Sequence, residues 1–75
     1  MQSTEEVLIL IGNNICKLRK AQGWSQADLA LKVGMHKSYI GAIEKGKKNI
    51  SLLKLTRFAK VFEIGLGELV GTPSS

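Results

Sequence analysis

The stretch that decides the fold begins at Ser25, ends at Lys45 and reads SQADLALKVGMHKSYIGAIEK. Ser25 and Asp28 have the spacing of a capping box, so a helix is predicted to begin just after Ser25. Gly34 stands where a residue in the left-handed conformation would end that helix. A second short helix is predicted from Lys37 to Lys45. The stretch therefore predicts two short helices that are joined by a tight turn.

Small and apolar residues indicate how these two helices pack. Ala30 is small enough to let the helices cross closely. The apolar side chains expected to fix the crossing angle are Leu29, Val33, Met35, Ile40 and Ile43. With Ile40 and Ile43 inside, helical geometry turns the opposite side of the second helix outward. The pattern is typical of a DNA-binding helix-turn-helix, and a coincidental helical hairpin is the alternative.

The outward positions of the second helix suit the major groove of DNA. They are Lys37, Ser38, Gly41 and Ala42, and we expect them to contact bases. Lys37 is a donor for guanine O6 or N7, and small residues let the helix sit deep in the groove. An ordinary solvated surface would explain Lys37 and Ser38, but a glycine inside a helix costs about 1 kcal/mol relative to alanine. Gly41 therefore favours the DNA-contacting interpretation.

The rest of the chain predicts an all-α fold with five short helices around one core. A first helix is expected from Thr4 to Ala21, a fourth after Ser51, and a short fifth near the C-terminus. The apolar stripe expected on the fourth helix consists of Leu52, Leu55, Phe58, Ala59 and Phe62. Residues 1–71 are expected to form a single domain, and residues 72–75 a flexible tail.

The charge is unevenly distributed along the 75 residues, whose net charge is +5. All eleven Lys and Arg residues lie between Lys17 and Lys60, where Asp28 and Glu44 are the only acids, so this segment carries +9. The flanks hold the other four acids and carry −4. One sign of charge concentrated in one segment indicates a surface that binds a polyanion, and a solvated lysine-rich surface is the alternative.

Cysteine and histidine usage argues against several other functions. Cys16 and His36 are the only residues of their types, too few for a closed metal site, which usually needs four ligands. No nucleotide-binding or nucleophile motif is present, so we expect neither an enzyme nor a cofactor. No apolar run approaches the roughly 18 residues that span a bilayer, and no signal peptide is indicated. A cytoplasmic location without membrane contact is therefore expected.

Several of these residues also resemble a known family. The motifs that carry the resemblance are Gly23-Trp24-Ser25-Gln26, Leu29-Ala30, Gly34 and the run from Tyr39 to Gly46. They resemble the phage-repressor family of helix-turn-helix proteins, such as the lambda and 434 repressors and Cro. Within that family, the run from Tyr39 to Leu52 is most similar to the controller proteins of restriction–modification systems. The resemblance implies a compact lambda-repressor-like fold and a transcriptional regulator that binds double-stranded DNA.

The resemblance also implies roles for individual residues. Gln26 looks like the glutamine that binds a phosphate and braces the third helix, the recognition helix. The residues expected to contact the DNA backbone are Ser25, Gln26, His36, Tyr39, Lys45, Lys47, Lys48, Asn49 and Ser51. His36 departs from the family pattern, because it replaces the usual Ser or Thr cap of the recognition helix. Arg19 and Glu44 match a family ion pair that ties the first helix to the third. Cys16 replaces a basic residue of many relatives. We expect a partly covered, inert thiol there, and a redox-sensing thiol is the alternative.

A homodimer is a further implication of the resemblance. A symmetric dimer reads two half-sites about 34 Å apart in a palindromic operator. The residues expected at the dimer interface are Leu53, Phe62, Ile64, Leu66, Leu69 and Val70, and closing the core of one chain is their alternative role. A controller protein would activate at low occupancy and repress at high occupancy, with the sigma subunit of RNA polymerase as a further partner. The alternatives are a phage-type or antitoxin-like repressor and a protein–protein interaction module that has lost DNA binding.

Overall fold

The computed structural model describes residues 3–71, and in that range it contains five α-helices and no strand. They are α1 (Thr4–Ala21), α2 (Gln26–Val33), α3 (Lys37–Glu44), α4 (Leu52–Phe62) and α5 (Leu66–Val70). The predicted all-α fold is confirmed. The predicted tail, residues 72–75, lies outside the described residues. Within residues 3–71, none of the helices is long and apolar enough to cross a membrane.

Local sequence signals fix most helix ends. The hydroxyls of Ser25 and Ser51 accept backbone N–H bonds as N-caps, and Asp28 completes the capping box of α2. Gly34 follows α2 with a φ of 71°, the left-handed conformation that glycine adopts without strain. Glu63 follows α4 with a φ of 57° although it carries a side chain, and the sequence did not predict this.

The core draws apolar side chains from all five helices. Ile15, Leu29, Ile40, Phe58 and Leu69, one from each helix in order, are completely buried. Burying such a side chain is worth about 1.5–3 kcal/mol. Each helix, including the five-residue α5, is therefore attached to the core by at least one buried apolar side chain.

The stripe predicted for α4 was wrong at its first residue. Leu52 is 64% exposed, whereas Leu55, Phe58 and Phe62 are buried. The neighbouring Leu53 is 79% exposed, so among the described residues no other helix covers these two side chains. The buried stripe therefore begins one turn later than the periodicity predicted.

Helix α1 packs against both α3 and α5, while α2 contacts α3 and α4. At the crossing of α1 with α3, a Cβ atom on Gly12 would overlap the backbone carbonyl oxygen of Ile43. Glycine, which has no Cβ atom, lets the two backbones approach this closely. The close backbone contact at Gly12 therefore sets the distance between α1 and α3.

Candidate nucleic-acid interface

The outer surface of α3 carries the four predicted base-contacting residues. Lys37 and Ser38 are exposed, and Gly41 and Ala42 are half-buried. A Cβ atom on Gly41 would lie 3.7 Å from Oε1 of Gln26, an ordinary van der Waals distance. Lys37 and Ser38 are therefore open to a ligand, and Gly41 lies beside the first turn of α2.

The start of α3 has no side-chain cap. His36 occupies the N-cap position without a capping hydrogen bond, and its Nδ1 atom lies 3.2 Å from Oγ of Ser38. Both residues are exposed. Because the first N–H groups of a helix lack partners within it and carry partial positive charge, this end of α3 suits an anion such as a phosphate.

A polar cluster of Arg19, Glu44 and Gln26, here called the α3 clamp, ties α3 to α1 and α2. Arg19 Nε donates to Glu44 Oε2 over 2.6 Å, and Arg19 Nη2 donates to Oε1 over 3.0 Å. Gln26 Nε2 donates to the same Oε1 over 3.1 Å. Arg19 Nη1 also donates to the carbonyl of Trp24 over 2.8 Å. A bidentate arginine–carboxylate pair constrains both distance and angle, so the clamp sets the orientation of α3.

Both charged groups of the α3 clamp stay ionised despite their burial. The Arg19 and Glu44 side chains are only 10% and 6% exposed. The hydrogen bond with Glu44 raises the pKa of Arg19 above its usual value. For Glu44, burial is the largest single influence and acts to raise the pKa. The hydrogen bonds from Arg19 and Gln26, together with the arginine charge, outweigh it and lower the pKa of Glu44.

Gln26 is the first residue of α2 and is half-buried. Its bond to Glu44 braces the C-terminal end of α3. A carboxamide nitrogen carries two hydrogens, so this bond leaves the second for another acceptor. The preceding Ser25 is exposed, and its hydroxyl accepts from the N–H of Asp28.

The loop between α3 and α4 is exposed and basic. The predicted backbone-contacting residues on it are Lys45, Lys47, Lys48, Asn49 and Ser51, all of them exposed. Gly46 turns the chain with a φ of 72°. The Tyr39 hydroxyl donates to the carbonyl of Asn49 over 3.4 Å, which ties the loop to α3. Three lysines are thus carried on one loop that follows the recognition helix directly.

The thiol of Cys16 borders the α3 clamp. Cys16 is half-buried, and its sulfur lies 3.7 Å from Nη2 of Arg19. Among residues 3–71, no three His, Cys, Asp or Glu side chains are grouped closely enough to hold a metal ion. The thiol therefore lies against the guanidinium group of the α3 clamp.

The predicted dimer residues do not form one exposed surface. Phe62 and Leu69 are 6% and 0% exposed, so they close the core of a single chain and offer little area to a partner. The accessible members of the set are Leu53 and Val70, which are exposed, and Ile64 and Leu66, which are half-buried. Within the predicted set, these four residues therefore supply most of the apolar area that a partner could contact.

Two polar side chains that position these elements were missed from the sequence. Asn14 is buried, and its amide donates to the carbonyls of Leu69 and Gly71 over 2.7 and 2.9 Å. A signal was present, because Asn14 follows Ile11 by three residues and so falls on the buried side of α1. Lys54 lies in α4 and packs against the recognition helix, and its sequence context carried no signal for that contact.

Comparisons with known proteins agree with this geometry. The Helix-turn-helix family matches residues 17–69. The control protein C.MunI from Mycoplasma sp is 35% identical over 65 residues, which span 85% of this chain and 88% of that protein. The crystal structure of the restriction-modification controller protein C.AhdI from Aeromonas hydrophila shows 37% identity and a TM-score of 0.79, over 83% of this chain and 94% of that one. The hypothetical transcription factor NHTF from Neisseria shows 25% identity and a TM-score of 0.87, over 97% and 84%.

The family match spans α2 and α3, the two helices of the predicted motif. Helix-turn-helix regulators bind double-stranded DNA and are not enzymes, so the prediction of a non-enzymatic DNA-binding protein is confirmed. The similarity to control proteins confirms the resemblance stated from the residues. The chain belongs to the Helix-turn-helix family of DNA-binding transcriptional regulators and is related to the control proteins of restriction–modification systems.

Proposed function

We propose that the chain is a homodimeric controller protein of a restriction–modification system that works in the cytoplasm on palindromic operators. The observation that carries this proposal is the exposed pair Lys37 and Ser38 at the start of α3, followed along the chain by the exposed basic loop, residues 45–51. The likeness to C.MunI and C.AhdI supports the choice of a controller protein.

DNA binding on this surface divides into two kinds of contact. Lys37, Ser38, Gly41 and Ala42 meet base edges in the major groove, and base edges carry the sequence information. The loop lysines, with Gln26 and the N-terminal end of α3, meet the phosphates, while Tyr39 holds the loop through its hydrogen bond to the carbonyl of Asn49. Phosphate contacts supply most of the affinity and set the register of the protein on the duplex.

Two copies of the chain pair through the apolar side chains that one copy leaves accessible, which are Leu53, Ile64, Leu66 and Val70. The dimer presents two α3 helices about 34 Å apart, the spacing of two half-sites on one side of the duplex. At its own promoter, the bound dimer activates through the sigma subunit of RNA polymerase and represses once a second site is filled.

A repressor of the phage or antitoxin type is a second candidate, because it would use the same surface on another gene. The likeness to NHTF, a hypothetical transcription factor, favours this broader role. An adjacent methyltransferase and endonuclease gene pair would favour the controller protein. A module that has lost DNA binding is disfavoured by the exposed lysines on α3 and its loop.

Selection from random duplex DNA tests the proposal and defines the half-site. The wild type should enrich a palindrome, and Lys37→Ala should lose the preference for that palindrome while it keeps non-specific binding. Lys47→Ala should instead weaken binding to all duplexes alike. Lys60→Ala, which removes an exposed lysine near the far end of α4, is the control and should bind like the wild type. If Lys37→Ala lost equal affinity for the selected palindrome and for non-specific duplexes, its base-reading role would be contradicted.

Sedimentation tests the dimer separately. Leu53→Glu places a charge in the proposed interface at a position that the single chain leaves 79% exposed, so the fold tolerates it. We expect this variant to sediment as a monomer. Leu31→Glu, at an 84% exposed position on α2, is the matched control and should remain dimeric. A dimer that persists in Leu53→Glu would move the interface elsewhere.

A further inference from the structure

Lys54 lies in α4 and contacts the recognition helix in two ways. Its Nζ atom lies 4.5 Å from the centroid of the Tyr39 ring and 3.3 Å from the Tyr39 hydroxyl oxygen. Both residues are half-buried. An ammonium group over an aromatic ring is attracted by the negative charge of the ring face. Lys54 therefore restricts the orientation of the Tyr39 ring.

The same contact fixes the direction of the hydrogen bonds at the Tyr39 hydroxyl. An ammonium group has donors and no acceptor, so the hydroxyl accepts from Lys54. Its own hydrogen is directed to the carbonyl of Asn49, 3.4 Å away. Two consecutive hydrogen bonds thus connect α4, α3 and the loop that carries the lysines. They act on the N-terminal half of α3, whereas the α3 clamp acts on its C-terminal end.

We propose that Lys54 is a positioning residue for DNA binding that acts through Tyr39 and does not itself contact a phosphate. By holding the ring, Lys54 keeps the hydroxyl on the carbonyl of Asn49, so that Lys37 and the loop lysines meet the duplex in one fixed arrangement. This inference rests on the proposed DNA-binding surface. It adds to that surface a residue of α4, outside the helix-turn-helix itself.

A double-mutant cycle measured on the palindrome selected by the wild type tests this role. Lys54→Met keeps the aliphatic chain and removes the charge, and Tyr39→Leu removes the ring and hydroxyl. We expect Lys54→Met to weaken binding about three- to ten-fold in the wild-type background. In the Tyr39→Leu background it should change binding by less than about two-fold, because its partner is already absent. Lys54→Arg should restore binding, since a guanidinium group also stacks on an aromatic ring.

A direct phosphate contact by Lys54 predicts a different pattern. Lys54→Met would then weaken binding by the same factor in both backgrounds, and the slope of log K against log salt would fall by about one. Either result would overturn the positioning role, for which we expect an unchanged slope. A wild-type chain that prefers no duplex would overturn the proposed function together with this role.

A measurement without DNA keeps the test decisive if Tyr39→Leu does not fold. The ε-methylene protons of Lys54 lie close to an aromatic ring, so their NMR signals should be shifted upfield by the ring current. Lys60, which is exposed, provides the reference signal in the same spectrum. Lys54 signals that coincide with those of Lys60 would show that the contact is absent in solution and would overturn the inference.

Discussion

Helix α1 holds two other helices by two different kinds of polar contact. Its contact with α3 is the α3 clamp, built on the buried ion pair of Arg19 and Glu44. Its contact with α5 is the neutral amide of Asn14, which donates to the carbonyls of Leu69 and Gly71 and is here called the α5 clasp. Removing one member of a buried ion pair leaves a charge without a counterion, whereas removing an amide leaves only unpaired acceptors. Losing the α3 clamp should therefore lower the free energy of unfolding more than losing the α5 clasp. The α3 clamp holds the helix that carries the proposed base contacts.

The largest effect is expected from Glu44→Ala, which removes the acceptor of the α3 clamp. Arg19 keeps its charge in a buried position, and Gln26 loses its partner as well. We expect the free energy of unfolding to fall by about 3–5 kcal/mol, measured by urea denaturation. Glu5→Ala, which removes an exposed carboxylate from the first turn of α1, should cost less than about 1 kcal/mol. Similar losses in the two variants would show that the ion pair contributes no more than a surface charge.

A second large effect is expected from Gly12→Ala, because the added methyl group would overlap the carbonyl of Ile43. Alanine normally stabilises a helix relative to glycine. A loss of stability in Gly12→Ala would therefore come from the crossing of α1 with α3. We expect a loss of about 1–3 kcal/mol in thermal or urea unfolding. Gly67→Ala in α5 is the control, since a Cβ atom there meets open space, and it should be neutral or stabilising. A stabilising Gly12→Ala would mean that α3 can move away from α1 without cost.

On the other side of the comparison, Asn14→Ala removes the α5 clasp. Two carbonyl acceptors at the end of α5 lose their donor, and we expect unfolding to become easier by about 1–3 kcal/mol. Asn13→Ala is a matched control, because Asn13 is the preceding residue of the same helix and is exposed. Hydrogen exchange should show faster opening of α5 in Asn14→Ala alone. Equal behaviour of the two alanine variants would deny the clasp any role in holding α5.

Features that depend on neighbouring residues could be predicted from the sequence. The capping box of Ser25 and Asp28 and the turn at Gly34 each lie within one or two helical turns, so their spacing is enough to define α2. The solvent side of α3 followed in the same way, because buried Ile40 and Ile43 leave one side of the helix outward.

Contacts between distant residues could not be predicted in this way. Arg19 and Glu44 are 25 residues apart, and their pairing was implied only by the family resemblance. Lys54 and Tyr39 lie on different helices, and the periodicity of one helix carries no information about its neighbour. Leu52 matches the period of α4, but its burial depends on whether another helix covers that position. Burial of a side chain is set by the assembled core and only indirectly by the pattern of one helix.

Acid should weaken the α3 clamp and leave the α5 clasp unchanged, because a carboxylate titrates and an amide does not. The pKa of Glu44 lies below its ordinary value of 4.5 in the folded chain, so the unfolded chain takes up the proton at a higher pH. Between the two pKa values, the unfolded state binds more protons than the folded state. The stabilisation from Glu44 is therefore complete above about pH 4.5 and is lost as the pH falls through the folded pKa.

Unfolding free energies measured by urea denaturation from pH 7 to pH 3 test this difference. The wild type should lose stability as the pH falls below the ordinary pKa of Glu44, and the curve of Glu44→Gln should be flatter because the titrating group is absent. Asp28 also has a lowered pKa, caused by its hydrogen bonds with the backbone and hydroxyl of Ser25, so some acid sensitivity remains in every variant. Asn14→Ala should run parallel to the wild type at a lower stability. Parallel curves for the wild type and Glu44→Gln would mean that the charge of Glu44 is not what holds α3. The α3 clamp and the α5 clasp would then differ only in the number of hydrogen bonds that each makes.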